Sequence, residues 1–186
     1  MIDVPVLMSI EAREDVFDFV AHQAKDGMNF VEIGSFIGGS ICYFGQKLRQ
    51  LDKHVNLTAV DTWKFDNIST GHLQLVENND YYQAFLQNVA KCGLSVQTVV
   101  SDSIAAAEKF DDESIDFLFI DGCHEYPYTE NELKVWLPKM KKNSVIAGHD
   151  YEDAAIKKAV ANVLGEIRTT RLNHECYLKV LGEGLA

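Results

Sequence analysis

The sequence predicts an α/β fold built on one doubly wound, mainly parallel sheet of seven strands, the last of them antiparallel. Three observations carry this expectation. Strand-like apolar runs alternate with helix-periodic segments through most of the chain. The first such run ends in a glycine-rich turn that opens a helix, Glu32-Ile33-Gly34-Ser35-Phe36-Ile37-Gly38-Gly39-Ser40. The last two runs are separated only by Leu172-Asn173-His174, enough for a hairpin and too few for a parallel crossover. At 186 residues the chain fits a single domain, 1–186, with one sizeable core.

Taken in order, residues 10–25 read as helix because Val16, Phe17, Val20 and Ala24 recur at helical spacing. They form an N-terminal helical segment, 1–28, ahead of the first strand at 29–33. Helix follows at 39–51 and strand at 56–60, closed by Asp61. Residues 62–79 are polar and without clear period, a loop long enough to serve as a lid. Helix resumes at 80–91, stopped by Gly93, and the third strand occupies 96–100. A short helix at 103–109 leads to the fourth strand at 115–120, whose almost wholly apolar sequence predicts a central position. Helix at 129–140, strand at 144–147 and helix at 153–164 follow. The closing hairpin pairs 166–171 with 175–181.

Composition narrows the function. Hydrophobic residues make up 47% and charged residues 24% of the chain, as in ordinary soluble domains. A net charge of -11 argues against a nucleic-acid or anionic-membrane surface, both of which need clustered Lys and Arg. With no apolar run of membrane-spanning length and no secretory pattern at residues 1–10, a cytoplasmic protein is expected. Cys42, Cys92, Cys123 and Cys176 are scattered without a C-x-x-C pair, so they read as reduced thiols.

Ligands of open α/β sheets collect at the carboxyl ends of the strands, and here every one of the five parallel strands ends in polar or ionisable residues. The turn after strand 1 lacks the G-x-G-x-x-G spacing of dinucleotide sites. Its acidic residue, Glu32, would repel a pyrophosphate and attract an ammonium group, which points to a ligand with a cationic amino-acid end such as S-adenosylmethionine. A backbone network could equally satisfy a buried Glu32. Asp61, 27 positions after Gly34, fits either a ribose diol or a turn. Asp102 fits an adenine amino group or a helix N-cap. Trp63 could stack on adenine, close the 62–79 loop or fill the core.

The combination of Val31-Glu32-Ile33-Gly34, Gly38-Gly39-Ser40, Val60-Asp61-Thr62-Trp63, Ser101-Asp102-Ser103, Ile120-Asp121-Gly122-Cys123-His124-Glu125-Tyr126 and Gly148-His149-Asp150-Tyr151 resembles class I S-adenosylmethionine-dependent methyltransferases. The closer likeness is to the macrocin and mycinamicin type of small-molecule O-methyltransferase. The resemblance implies a Rossmann-like sheet. It implies that Glu32, Gly34, Ser35, Gly38 and Ser40 line the methionine end of the cofactor, Asp61 the ribose, Asp102 and Ser103 the adenine, with Trp63 and Asp121 beside them. It further implies Asp121 as a metal ligand and His124 as general base. The second pair of family ligands falls on His149 and Asp150. An imidazole there fits a transition metal better than Mg²⁺, and His149 could instead face substrate or bond Asp150.

The resulting expectation is a methyltransferase acting on a hydroxyl of a small molecule such as a sugar or glycosylated metabolite, with a divalent metal assisting and a homo-oligomer left open. Two rivals stand beside it. A non-catalytic S-adenosylmethionine-binding domain would bind cofactor without turnover. A nicotinamide-dependent oxidoreductase is disfavoured by the missing G-x-G-x-x-G.

Overall fold

A computed structural model describes residues 4–5, 8–64, 76, 80–171 and 174–182. Strands Asn29–Ile33 (β1), Asn56–Asp61 (β2), Val96–Val100 (β3), Ile115–Ile120 (β4), Met140–Gly148 (β5), Arg168–Thr169 (β6) and Tyr177–Val180 (β7) form one sheet of order β3-β2-β1-β4-β5-β7-β6. The first five are mutually parallel, and β7 runs antiparallel to both of its neighbours. The apolar β4 lies at the centre, as its sequence predicts, with β1 on one side and β5 on the other.

Because successive strand residues face opposite sides, β4 feeds two cores. Phe117 and Phe119 join Phe30, Ala59 and Val145 on one face, while Leu118 and Ile120 join Val31, Ile33, Val60 and Ile146 on the other. The first face is covered by the N-terminal helices Ile10–Arg13 (α1) and Phe19–Gln23 (α2), by Gly39–Gln50 (α3) and by Tyr81–Lys91 (α4). Its centre is an aromatic cluster in which Phe17 meets Phe44, Phe117 and Phe119 with ring centroids 4.8–6.1 Å apart. The second face carries Ser103–Ala106 (α5), Tyr128–Trp136 (α6) and Ala154–Val163 (α7), with Trp136 fully buried.

The sequence-based boundaries hold closely for most elements and shift at three. The N-terminal helix is interrupted by a π-helical turn at Glu14–Asp18. The wider turn keeps Phe17 in the aromatic cluster, while Asp18 accepts bonds from Tyr43 and Lys47 of α3 at 3.0 and 2.5 Å. Strand β5 begins at Met140, earlier than residue 144, behind a register shift that accommodates Lys141, Lys142 and Asn143. Their polarity hides the strand from a hydrophobicity reading, and Asn143 has a left-handed φ of 64°. The closing strands pair only over Arg168–Thr169 and Tyr177–Val180. Most of the 62–79 loop and two residues of the expected hairpin turn lie outside the described residues.

The strand ends are locked where the cleft forms. Gly34 N–H donates to Val60 O at 2.9 Å, Asp121 N–H to Ile33 O at 2.8 Å and His149 N–H to Ile120 O at 3.0 Å, so the ladder continues through the residues that end β1, β4 and β5. Gly34 has φ 80°, and a Cβ there would lie 2.0 Å from the Asp121 carbonyl oxygen. Its glycine is therefore required by the close approach of two chain segments. Gly34→Ala is expected to destabilise the protein by about 3 kcal/mol or more, because left-handed strain and backbone overlap add. Urea denaturation of the purified variant reads this directly, and a loss below about 1 kcal/mol would contradict it.

Candidate active site

A cleft of ≈ 730 Å³ opens at the carboxyl ends of the five parallel strands. Gly34, Asp61, Asp102, Ser103, Asp121, His124, His149 and Asp150 all line it, together with Phe36, Thr62, Tyr128 and Glu132. Glu32, Ser35, Gly38, Ser40 and Trp63, expected at the cofactor, are not on this wall and lie buried around the glycine turn.

The half of the cleft at the ends of β1 and β2 is organised by Asp61. One carboxylate oxygen accepts Phe36 N–H at 2.8 Å and the other accepts Trp63 N–H at 2.7 Å. Phe36 and Trp63 both have left-handed φ, 46° and 50°, so the two bonds hold the turns after β1 and β2 in conformations that need support. Burial raises the Asp61 pKa against the pull of these amides. Trp63 itself packs on Tyr82 and Phe85 and donates its indole N–H to Phe36 O at 2.7 Å. This corrects its expected place on the cofactor wall: the indole is more stable against rings and a carbonyl than facing solvent. Gly38, φ 85°, likewise serves packing, since a Cβ there would stand 3.0 Å from the Phe85 ring.

Glu32 is wholly buried beneath the turn. Its Oε1 accepts the Ser40 hydroxyl at 2.6 Å, while Oε2 and the Ser35 hydroxyl have no partner among the described residues. Burial pushes its carboxyl up to about 8. A cationic ligand group reaching Oε2 would return it to the ionised form. At the end of β3, Asp102 caps α5 by accepting Ala105 N–H at 3.2 Å, and its other oxygen takes the Tyr128 hydroxyl at 2.6 Å. The Ser103 hydroxyl accepts the Trp136 indole N–H at 3.0 Å.

The other half of the cleft centres on His149. Its Nδ1 lies 3.0 Å from Asp150 Oδ2 and 3.3 Å from Asp121 Oδ1, and its Nε2 lies 2.9 Å from Glu175 Oε1. Ionised carboxylates only accept hydrogen bonds, so both ring nitrogens carry protons and the ring is an imidazolium. Burial alone would lower its pKa, but the bonds to Asp121 and Asp150 overcome this and raise it to about 11. Asp150, where burial acts upward, is held well below the usual carboxylate range by His124 and His149. With both ring nitrogens engaged by carboxylates, His149 stands outside the group of side chains whose ligand atoms come together in the cleft.

His124 reaches the same carboxylate, its Nε2 2.9 Å from Asp150 Oδ2, with its side chain 46% exposed. The hydrogen bond to Asp150 raises its pKa despite partial burial. Ligand atoms of Asp121, His124 and Asp150 all lie within 4.8 Å of one another. Asp121, Asp150 and Glu175 outnumber the single His149 imidazolium, so the cluster is anionic and fits a divalent cation.

Three participants escaped the sequence reading. Glu175, on the approach to β7, accepts both His149 and Ser9 N–H, the latter at 2.8 Å, tying the N-cap of α1 to the site. Tyr128 and Glu132 sit on α6 facing the cleft. Burial pushes the Glu132 carboxyl up to about 7. No motif marks these residues; an acidic position facing an apolar helix side was the only available signal, and for Glu175 there was none.

Residues 31–151 match a family model described as a methyltransferase domain. The chain belongs to this methyltransferase-domain family. Among curated proteins it is 29% identical over 122 residues to the uncharacterized protein y4gI of Sinorhizobium fredii, covering 66% of this chain and 13% of that one. It is 27% identical over 161 residues to the uncharacterized protein R132 of Acanthamoeba polyphaga mimivirus, covering 75% of this chain and 62% of that one. The chain thus spans less than two thirds of these relatives' own length. Its fold is similar to that of a putative caffeoyl-CoA O-methyltransferase from Staphylococcus aureus, with TM-score 0.66, 16% identity, and 96% and 86% of the two chains covered. It is also similar to that of CalS11, a TDP-rhamnose 3'-O-methyltransferase of calicheamicin biosynthesis, with TM-score 0.62, 14% identity, and 93% and 79% covered. A third similar structure, the Podospora anserina methyltransferase PaMTH1, was solved with S-adenosylhomocysteine bound (TM-score 0.64, 13% identity, 92% and 78% covered).

His149→Leu is expected to cost about 3 kcal/mol at pH 7 by leaving buried carboxylates unneutralised. Its raised pKa places the wild-type contribution fully below about 6.5 and removes it as pH climbs through about 11. The deficit of the variant in urea denaturation is therefore expected to be fully developed near pH 6 and to shrink as pH rises toward 11. A deficit that grows from pH 6 to pH 10 would contradict the assignment.

Proposed function

We propose that the protein transfers a methyl group from S-adenosylmethionine to a hydroxyl of a small molecule carrying a vicinal diol, a sugar or glycosylated metabolite of the kind methylated by macrocin- and mycinamicin-type enzymes. The observation that carries this reading is the pairing of His124 with Asp150 at the mouth of the cleft, opposite Asp61 and the glycine turn. The similarity in fold to a TDP-rhamnose methyltransferase supports a sugar acceptor.

Methyl transfer is an in-line displacement at a sulfonium carbon, so the protein must align two substrates and deprotonate one. The strand order separates these tasks, with Glu32 and Asp61 on the donor side and Asp121, His124 and Asp150 on the acceptor side. Asp150 takes the Nε2–H of His124, which fixes the tautomer and leaves Nδ1 as the proton acceptor. Asp121 and Asp150 would hold a divalent ion, which when bound lowers the pKa of a coordinated hydroxyl. The imidazolium of His149 helps hold Asp150 ionised and keeps Asp121 in place beside it.

The reading is tested by methyl transfer from radiolabelled S-adenosylmethionine to a panel of free, nucleotide-linked and glycosidic sugars. His124→Ala is expected to lower kcat by about 100-fold or more. In the wild type, kcat/KM is expected to rise with pH through an inflection above the ordinary histidine value of 6.5, because the raised pKa keeps the base protonated longer. Unchanged turnover in His124→Ala would remove His124 as the base. Cofactor binding without transfer to any acceptor would favour the non-catalytic binding domain.

A further inference from the structure

We infer that Glu132 reads the base of the methyl donor, its Oε1 accepting a hydrogen bond from the exocyclic amino group of adenine. This rests on the S-adenosylmethionine reading above. Glu132 is 1% exposed, lines the cleft from α6, and its Oε1 has no hydrogen-bond partner among the described residues. A buried acceptor left bare is unfavourable, and a ligand donor is the available remedy.

The surroundings say which donor. Glu132 interacts with Ser103 and Asp102, which follow β3, and its Oε1 faces Gly122, which follows β4. In the function proposed above, Asp61 and Glu32 serve the ribose and the amino-acid end of the donor. Asp102, expected to hold adenine, is engaged by the Ala105 amide and the Tyr128 hydroxyl, and Ser103 by Trp136. Gly122 borders this oxygen: a Cβ there would stand 3.5 Å from Glu132 Oε1, at ordinary van der Waals distance. Base recognition therefore falls to Glu132 Oε1, a buried acidic oxygen on the cleft wall without a hydrogen-bond partner among the described residues.

Calorimetric titration with S-adenosylhomocysteine and with S-inosylhomocysteine, in which a 6-oxo group replaces the amino group, separates the possibilities. Wild type is expected to bind the adenosyl ligand about tenfold more tightly, since an acceptor facing an acceptor is unfavourable. Glu132→Gln supplies an amide N–H to the 6-oxo group, so the preference shrinks toward unity through tighter inosyl binding, a gain that misfolding cannot imitate. Glu132→Met is expected to weaken adenosyl binding about tenfold while leaving inosyl binding nearly unchanged. Equal affinity of wild type for the two ligands, or an equal loss for both in the variants, would overturn the role of Glu132. Failure of wild type to bind either ligand would overturn the donor assignment itself, and this inference with it.

Discussion

One buried imidazolium holds the acceptor side of this molecule together. His149 stands between Asp121 at the end of β4, Asp150 just after β5 and Glu175 ahead of β7, three carboxylates that would repel one another without it. Through Glu175 the same charge reaches Ser9 and the start of the N-terminal helix. Through Asp150 it reaches His124, the group poised to take a proton. A histidine in this position acts by neutralising and orienting its neighbours, which leaves Asp121 and Asp150 as the carboxylates grouped with His124.

The donor side is built on a different economy, in which backbone amides replace charge. Asp61 holds the turns after β1 and β2 together by accepting from Phe36 and Trp63, and both of those residues adopt left-handed backbone. The glycines of the turn serve the chain's own packing, Gly34 against the Asp121 carbonyl and Gly38 against Phe85. Room for a ligand arises because these contacts draw β1, β2 and β4 together and leave the cleft above them. Glu132 Oε1 is a bare polar atom on the wall of that cleft, and Glu32 Oε2 is another, buried beneath the glycine turn.

Much of this was legible in the sequence because hydrophobic period reports burial directly. Strands β1, β3 and β4 were delimited by their apolar runs, and the three-residue gap Leu172-Asn173-His174 revealed the antiparallel strand. Local chemistry that opposes the period was harder to read. Lys141-Lys142-Asn143 disguised the start of β5, and the π-helical turn at Glu14–Asp18 has no signature in spacing alone. In the site, strand-end position found Asp61, Asp102, Asp121, His124, His149 and Asp150. It could not show that Trp63 turns inward or that both nitrogens of His149 are taken, since these depend on partners distant in sequence such as Phe85 and Glu175. Glu132 was hidden because a single acid on the buried side of a helix is indistinguishable, by pattern, from the edge of its polar face.

The charge on His149 is the claim on which this account turns, and histidine ¹⁵N resonances report it without reference to any substrate. In uniformly ¹⁵N-labelled protein at pH 8, the account predicts that both ring nitrogens of His149 show the shifts of protonated imidazolium nitrogens, well above the pH at which an ordinary histidine has lost its charge. A neutral tautomer at that pH, with one nitrogen unprotonated, would contradict it.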